Sequence, residues 1–494
     1  DMKHPYFACG RCVSDEFVKI AGANADGVIC TFPWNPDRKD KKLDAFRAAF
    51  GKRFSQAPET YASHAYDGMN MVLWAVQTAG LNRAKIRDVL AHRRKPWPGV
   101  TGDIPLSAVL DDMGEVFLAK RQGDKWKYYS RKDLRIPSAE ADEVRIGYFA
   151  PSDPKDPRGG DMWLAAQWAI KQANAAGGYR GRQFKLMPAW SKSPWSNGAK
   201  DLFDLVYKQR VCAIVGGVDG PSTHLAEQVV AKSRLTLISP VSTDPTVNFV
   251  NVPWIFSTAP GDHLTAGPLA DEILRHTPSG GLVVLSGDDH DSRIFTLELR
   301  KALKKRRVGV RRQFEFRKGA GKSKQLVAEV LKIRPAAVVI AAGAADSARL
   351  VNTLRAGKYK GEIFGGPAMG RRGFATRAGD GAVFPLLFDP SNGSQTAAGF
   401  SKAFAGKFGH TPDYTAAYTY DSLRLLIAAI RKAGPDHAGI RDAVAGMSPR
   451  VGVTGAVRWN KLGSNTQIPP LGTIKNRRPT TFQKPPVQSA SIRR

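Results

Sequence analysis

This chain has few cysteines, and its hydrophobic runs are short. Four of its 494 residues are cysteines, which is too few for a fold held together by disulfides. Its longest apolar runs, such as residues 336–343, have the length of one strand and fall far short of the ~20 residues of a membrane-spanning helix. We therefore expect a chain that folds around hydrophobic cores and does not span a membrane.

Cys9 and Cys12 have the C-x-x-C spacing of redox motifs, but such a motif must open a helix in a βαβ unit. Here it follows a short apolar strand, residues 5–8. A local disulfide or two free thiols is the better interpretation. A zinc site would need a second pair of ligands, which the motif does not have, so we predict no metal site and no cofactor.

Acidic residues are also scarce. There are 44 of them against 74 lysines and arginines, a net charge of +30. Such a charge attracts polyanions non-specifically. The chain has no helix-turn-helix, zinc-finger or RNA-binding aromatic signature, so we predict no specific nucleic-acid partner and interpret most of this charge as solvated surface.

The motifs of common enzymes are missing as well. No serine-hydrolase elbow and no zinc-protease helix occurs in the sequence. Residues 316–323 approach a phosphate-binding P-loop, but Phe316 stands where that loop requires glycine. The chain is therefore predicted not to be an enzyme.

One segment of the sequence is repeated. Residues 46–88 align without gaps on residues 400–442, with 15 identities in 43 positions, and residues 99–102 match 452–455. A period of this length indicates a duplicated domain and not a solenoid. We expect residues 1–129 to be the C-terminal portion of a first copy in which the chain opens midway, 130–143 a linker, 144–475 a complete second copy, and 476–494 a disordered basic tail.

Strands and helices are predicted to alternate along the second copy. The apolar runs predicted as strands are residues 144–150, 212–215, 235–239, 282–286, 337–341 and 363–364. The periodic segments predicted as helices are 161–174, 198–208, 222–232, 262–275, 293–305, 324–332, 345–355, 396–408 and 416–432.

This alternation predicts an α/β fold with two doubly wound parallel-sheet lobes and a ligand cleft between them. Lobe 1 is expected to comprise residues 144–260 and 390–456, and lobe 2 residues 261–389 and 457–475. Hinges are expected at the chain crossings, near 259–262, 388–391 and 456–459. The first copy, without a lobe 1 of its own, is expected to expose apolar faces or to dock them elsewhere.

The second copy resembles the type I periplasmic binding proteins, in particular the leucine/isoleucine/valine-binding family. The matching segments, in chain order, are IGYFAP at 146–151, GG at 216–217, ISPVST at 238–243, WIFSTAPGD at 254–262, GGP at 365–367 and YD at 420–421. The resemblance implies an extracytoplasmic, periplasmic solute-binding protein. Such a protein captures a small polar ligand, amino acid-like or a carboxylate or amide, for an ABC-transporter permease.

Two alternatives remain open at this point. A sensory or regulatory module would pass lobe closure to a partner protein, and neighbouring genes would discriminate it from a transport component. A polyanion-binding protein would show steep salt dependence and no response to small ligands.

Within lobe 1, the resemblance points to the loops that follow two strands. It implies Gly220 and Val241 as backbone contacts to the ligand, Thr243 as a side-chain contact, and Ser222 and Ser242 as their neighbours. A ligand carboxylate suits such loops because free N–H groups favour an anion there. Simple helix capping by the hydroxyls is the alternative.

Lobe 2 departs from the amino-acid-binding pattern. His290 stands near the place of a tyrosine, Asp346 follows the next inner strand, and Ala368 replaces the acidic residue that pairs with a ligand ammonium. We therefore expect a carboxylate or neutral amide without an α-ammonium group, unless Asp289, Asp291 or Asp346 supplies the missing charge.

Overall fold

The computed structural model describes residues 6–130 apart from 92, 94 and 107–109, residue 133, and residues 143–483 apart from 192–193, 278–280, 320–322, 379 and 392–393. The chain forms two compact units, Asp1–Ala141 and Asp142–Arg494. The predicted linker falls at this boundary, and most of it lies outside the described residues.

Among its described residues, the first unit contains one four-stranded sheet, a hairpin and four α-helices. Its strands are β1 (Phe7–Ala8), β2 (Ile29–Phe32), β3 (Trp97–Pro98), β4 (Asp103–Ile104), β5 (Phe117–Gln122) and β6 (Lys125–Tyr129). Its helices are α1 (Asp15–Ala21), α2 (Lys41–Phe54), α3 (Thr60–Ala79) and α4 (Arg83–Ala91). The sheet has the order β1-β2-β5-β6, in which β1 and β2 are parallel and the other pairs antiparallel. The hairpin is formed by β3 and β4.

The second unit contains two large sheets. Its strands are β7 (Glu143–Phe149), β8 (Gln183–Pro188), β9 (Ala213–Gly216), β10 (Thr236–Ser239), β11 (Ile255–Pro260), β12 (Leu282–Gly287), β13 (Val310–Phe316), β14 (Ala337–Ala341), β15 (Glu362–Gly365), β16 (Ala382–Pro385), β17 (Arg450–Gly452), β18 (Gly455–Val457), β19 (Ser464–Asn465), β20 (Leu471–Lys475) and β21 (Arg478–Thr481). The lobe 1 sheet has the order β19-β11-β10-β9-β7-β8, and the lobe 2 sheet the order β13-β12-β14-β15-β16-β20-β21.

Helices cover both faces of each sheet, as the strand patterns predict. They are α5 (Met162–Ala175), α6 (Pro194–Phe203), α7 (Gly220–Ser233), α8 (Thr246–Phe249), α9 (Asp262–His276), α10 (His290–Lys305), α11 (Ser323–Ile333), α12 (Ala344–Ala356), α13 (Arg372–Ala375), α14 (Gln395–Phe408), α15 (Tyr414–Ala433) and α16 (His437–Ala445). A π-helical turn, Asp204–Lys208, extends α6. The inner strands β9, β10, β12 and β14 are buried throughout because helices pack on either side of them.

The α/β class and the two doubly wound lobes are therefore confirmed. In lobe 1, one core cluster joins the sheet to α5, α15 and α16 and another joins it to α6 and α7. In lobe 2, the two clusters contain α11 to α13 on one face and α9 and α10 on the other. None of the helices among the described residues combines the length and hydropathy needed to cross a membrane.

Two predicted boundaries differ from the structure. Residues 457–465 belong to lobe 1, because β19 pairs with β11 and Trp459 packs on Phe256. The third chain crossing therefore lies between β19 and β20, and not at 456–459. The predicted tail also begins too early, since β21 pairs with β20 and includes Pro479 on the sheet edge. Residues 484–494 of that tail lie outside the described part of the chain.

Candidate functional site

The two lobes of the second unit enclose a cavity of about 440 Å³ at the carboxyl ends of their strands. Side chains of both lobes line it: Arg158, Val218, Asp219, Pro221, Val241, Ser242, Thr243, Asp262, Asp289, His290, Asp291, Ser292, Phe295, Lys318, residues 341–344, residues 366–368, Arg371 and Tyr414. Strand ends of α/β sheets are where such folds bind ligands.

The first predicted loop forms the N-terminus of α7. Asp219 caps this helix by accepting the Ser222 N–H at 2.9 Å, and the Ser222 hydroxyl in turn accepts the Asp219 N–H. Ser222 therefore takes part in helix capping, which was the alternative to a ligand contact for the hydroxyl residues of this loop. Gly220 lies between the carboxylates of Asp244 and Asp291, where a Cβ would collide with both.

The Gly220 N–H already has a partner. It donates to Asp291 Oδ1 at 2.9 Å, so a lobe 2 carboxylate takes the donor that the resemblance assigns to a ligand carboxylate. This contact also joins the two lobes across the cleft. An anionic ligand group would have to displace Asp291 to reach this N–H.

The second predicted loop follows β10 and contributes Val241, Ser242 and Thr243 to the cavity. The Thr243 carbonyl accepts the N–H of Asp262 at 2.7 Å, which brings the chain crossing at the start of α9 against this loop. Asp262 was not predicted as a site residue from the sequence. Its position two residues after the end of β11 is typical of the strand-end loops that bind ligands in this fold.

On the lobe 2 side, His290 and Ala368 line the cavity. Asp346 does not. Its carboxylate pairs with Arg349 at 2.7 Å and accepts the Gly319 N–H at 3.0 Å, so it stabilises the start of α12 and the preceding loop.

Two carboxyl groups that line the cavity have raised pKa values. Burial raises the pKa of Asp262 well above its usual value, and its side chain is 1% exposed. Burial, together with the charge of Asp219, raises the pKa of Asp291 to about 8. Both shifts mean that the folded cleft disfavours uncompensated negative charge at these two positions.

A second network lies at the edge of the cleft. Asp244 Oδ2 is 2.6 Å from His290 Nε2 and 3.3 Å from His224 Nε2, and His224 Nδ1 is 2.8 Å from Glu227 Oε2. The hydrogen bonds that His224 donates to Asp244 and Glu227 raise the pKa of its imidazole to about 9. Burial acts to raise the pKa of Asp244. The hydrogen bonds from His224, Thr246 and His290 outweigh burial and hold this pKa well below its usual value.

Basic side chains also line the cavity, among them Arg158, Lys318 and Arg371. Arg158 pairs with Asp156 at 2.7 Å, which lowers the pKa of that carboxyl group. Arg371 Nη2 donates to the carbonyls of Pro157 and Arg158 at 3.1 and 3.0 Å, another contact between lobe 2 and lobe 1. The cavity therefore combines acidic, basic and apolar side chains, with Phe295 among the apolar ones.

A model of the family described as periplasmic binding protein matches residues 7–109 and 143–468, most of the chain. The chain belongs to the periplasmic binding protein family. It is a family of solute-binding proteins, and the match extends over parts of both units.

Among curated proteins, this family member is similar to an amino acid binding protein of Pseudomonas aeruginosa. The two are 26% identical over 330 residues, which cover 65% of this chain and 87% of that protein. Solved structures confirm the fold predicted from the sequence.

Three of those structures illustrate the range of relatives. The branched-chain amino acid transporter substrate-binding protein LivJ of Streptococcus pneumoniae, in complex with isoleucine, has a TM-score of 0.62 and 21% identity, and the match covers 69% of this chain and 100% of that one. The leucine-binding protein LivK of Thermotoga maritima has a TM-score of 0.62 and 19% identity, covering 69% and 98%. A solute-binding protein of R. palustris in complex with benzoate has a TM-score of 0.62 and 15% identity, covering 69% and 95%.

Proposed function

We propose that the second unit captures a small solute with an ammonium group and an apolar portion, such as an amino acid, in the cleft between its lobes. Membership of the periplasmic binding protein family supports two further parts of the proposal. The protein acts outside the cytoplasm, in the periplasm, and presents its solute to an ABC-transporter permease.

Asp262 is the observation on which the proposal depends. Its Oδ1 atom is buried and has no hydrogen-bond partner among the described residues, yet the residue lines the cavity. The Thr243 side chain hydrogen-bonds the carboxyl group, so the unsatisfied atom is Oδ1 alone. A buried carboxylate oxygen without a partner is costly, and a cationic ligand group removes that cost by pairing with it. Asp291 adds a second carboxylate on the same side.

These acids change the ligand that the sequence suggested. The expectation of a ligand without an ammonium group was based on Ala368, which replaces the usual acid. Asp262 and Asp291 supply negative charge from other elements, so the reason for that expectation is gone. Phe295 and the alanines at 341 and 342 leave the remaining surface suited to an apolar side chain.

Isothermal titration of the full chain with a matched set of solutes tests the proposal. Leucine carries both charges, its 2-oxo acid only the carboxylate, and isopentylamine only the ammonium. We expect leucine and the amine to bind, and the oxo acid to bind more weakly or not at all. Binding of the oxo acid or of benzoate in preference to leucine would contradict the proposal.

Asp262→Asn is the decisive variant, and Asp346→Asn is its control. Loss of a charge-assisted hydrogen bond worth about 1.5–3 kcal/mol should weaken amine binding by roughly 10- to 100-fold in the first variant. Asp346 lies outside the cavity, so the second variant should bind as the parent does. Equal affinities in the parent and Asp262→Asn would remove the main support for an ammonium-bearing ligand.

A further inference from the structure

Two histidines and one aspartate from different elements meet at the edge of the cleft. His224 lies in the first turns of α7, and Asp244 lies between β10 and α8, both in lobe 1. His290 is the first residue of α10 in lobe 2. One nitrogen of each imidazole and one oxygen of the carboxylate lie within 4.8 Å of one another.

These donor atoms suit a divalent transition metal. Zinc takes imidazole nitrogen and carboxylate oxygen at about 2.0–2.2 Å, which places tetrahedral ligand atoms roughly 3.3 Å apart. Asp244 Oδ2 lies 3.3 Å from His224 Nε2 and 2.6 Å from His290 Nε2. Movements of a few tenths of an ångström to about an ångström would bring all three atoms around one ion.

The surrounding contacts already orient the donor atoms. His224 Nδ1 lies 2.8 Å from Glu227 Oε2, and Nε2 lies 2.9 Å from Thr246 Oγ1 and 3.3 Å from Asp244 Oδ2. With Nδ1–H donated to Glu227, Nε2 is the nitrogen that a metal ion would bind, in place of the Nε2 proton. A histidine that binds metal commonly donates its other N–H to a carboxylate in this way. Thr246 donates its N–H and hydroxyl to Asp244 Oδ1 at 2.8 and 2.6 Å, so Oδ2 is the oxygen that faces the histidines.

We propose that His224, Asp244 and His290 bind a single divalent transition-metal ion, such as zinc, that joins the two lobes. Because the ligands come from both lobes, the ion binds the closed arrangement and not one in which α10 has moved away from α7. Metal binding therefore shifts the population toward closure. This site shares the cavity-lining His290 with the solute cleft, but it uses other atoms than Asp262 and does not depend on the nature of the solute.

Titration of the full chain with zinc, in the absence of solute, tests the proposal. Cys9 and Cys12 are themselves able to bind zinc, so the parent for these measurements carries C9S and C12S. We expect a single zinc ion per chain, and a loss of affinity of about 10-fold or more in both His224→Ala and His290→Ala. Glu227→Gln, which disturbs only the orientation of His224, should lose about 10- to 100-fold.

His276→Ala is the matched control. His276 also lies between two carboxylates, with Glu272 Oε1 at 3.2 Å and Glu362 Oε1 at 3.9 Å, but among the described residues it belongs to no group with a second histidine that could hold a metal ion. This variant should bind zinc as the parent does. Circular dichroism of His290→Ala, a residue at the exposed start of α10, checks that the fold is retained.

Closure provides a second readout. Zinc should reduce the radius of gyration of the parent in solution scattering, and it should not do so in His290→Ala. The proposal is overturned if the parent binds no zinc, or if His224→Ala and His290→Ala bind it as tightly as the parent. Loss of binding in His224→Ala alone would place the metal within lobe 1 and refute the joining of the lobes.

Discussion

The first unit and the C-terminal part of the second contain the same helices at a constant offset. Helices α2, α3 and α4 begin and end 354 positions before α14, α15 and α16. The four-stranded sheet β1-β2-β5-β6 likewise repeats the strand directions of β15, β16, β20 and β21. The two regions differ in what covers their aromatic residues.

One buried anchor is the same in both regions. Asp67 accepts the N–H groups of Val100 and Thr101 and the Thr101 hydroxyl, at 2.7, 2.8 and 2.7 Å. Asp421 accepts the matching groups of Val453 and Thr454 at 3.0, 2.8 and 2.7 Å. The duplication of a domain stays a prediction. If the two regions are copies of one domain, matching positions should form the same hydrogen bonds, as Asp67 and Asp421 do.

The aromatic faces are different. In the second unit, Trp168 of α5 stacks on Phe400 at 5.6 Å between ring centroids and also contacts Phe404, Phe408 and Tyr420. Phe404 is fully buried there. In the first unit, Phe46, Phe50, Phe54 and Tyr66 line an open groove of about 890 Å³, and Tyr66 is 48% exposed.

The comparison separates local from long-range effects. The helices and the aspartate anchor depend on residues within about 40 positions of one another, so both regions form them. Burial of the aromatic face depends on α5, more than 200 positions away from α14 in the chain. Identical residues therefore contribute differently to stability in the two regions.

The matched phenylalanines should give the largest difference between the regions. Phe404→Ala should destabilise the second unit by about 3–5 kcal/mol, since it leaves a cavity in a closed core. Phe50→Ala, at the corresponding position, should cost about 1–2 kcal/mol, because Phe50 is only half-buried. Hydrogen exchange followed by mass spectrometry measures the two effects separately through the amides of α14 and α2. Equal losses of stability in the two variants would contradict the difference in burial between the two regions.

The aspartate anchors should behave alike. Asp67→Ala and Asp421→Ala each leave two buried N–H groups and a hydroxyl without their acceptor, which should cost about 2–3 kcal/mol in either region. Urea denaturation and hydrogen exchange at the following turns measure this cost. A loss confined to Asp421→Ala would show that the anchor in the first unit carries little of its stability.

Cysteine reactivity should separate the exposed Cys9 from the buried thiols of both units without any change in stability. Cys9 is exposed, and a hydrogen bond from the Arg11 backbone lowers the pKa of its thiol, so the reactive thiolate forms at a lower pH than usual. Burial raises the pKa of Cys212 to about 12 and that of Cys30 to about 11. Alkylation with iodoacetamide across a pH series should modify Cys9 first, at a rate that rises with pH and levels off early.

Mass spectrometry of the alkylated peptides identifies the order of reaction. Cys212 and Cys30 should react only after denaturation. Modification of Cys212 in the native chain at a rate close to that of Cys9 would contradict the burial of β9 in lobe 1.

Most of the secondary structure was predictable because it follows from local pattern. The strand at 337–341 has the predicted bounds, and the helices predicted at 396–408 and 416–432 are α14 and α15 within two residues at either end. In the second unit, the strands β8, β11, β13 and β16 to β21 were not predicted. Of these, β8, β13 and β21 are edge strands with polar or proline-containing sequences that lack a continuous apolar run, whereas β11 and β16 are inner strands that are buried throughout.

The site was predictable only in part. Val241, Ser242, Thr243, His290 and Ala368 line the cavity because strand-end loops converge there in this fold. Asp346 lies outside it because Arg349, one helical turn further on, holds its carboxylate. Asp262 and the partnership of His224 with His290 were not predicted, since they depend on how closely the two lobes approach.

The sequence by itself determined the alternation of strands and helices, the two lobes and the repeated element. These follow from the hydrophobic period and from residue identities at fixed spacing. The tertiary structure alone decided which repeated aromatics are buried and which carboxylates share the cleft. Both depend on contacts between segments far apart in the chain, and no local pattern encodes the distance between such segments.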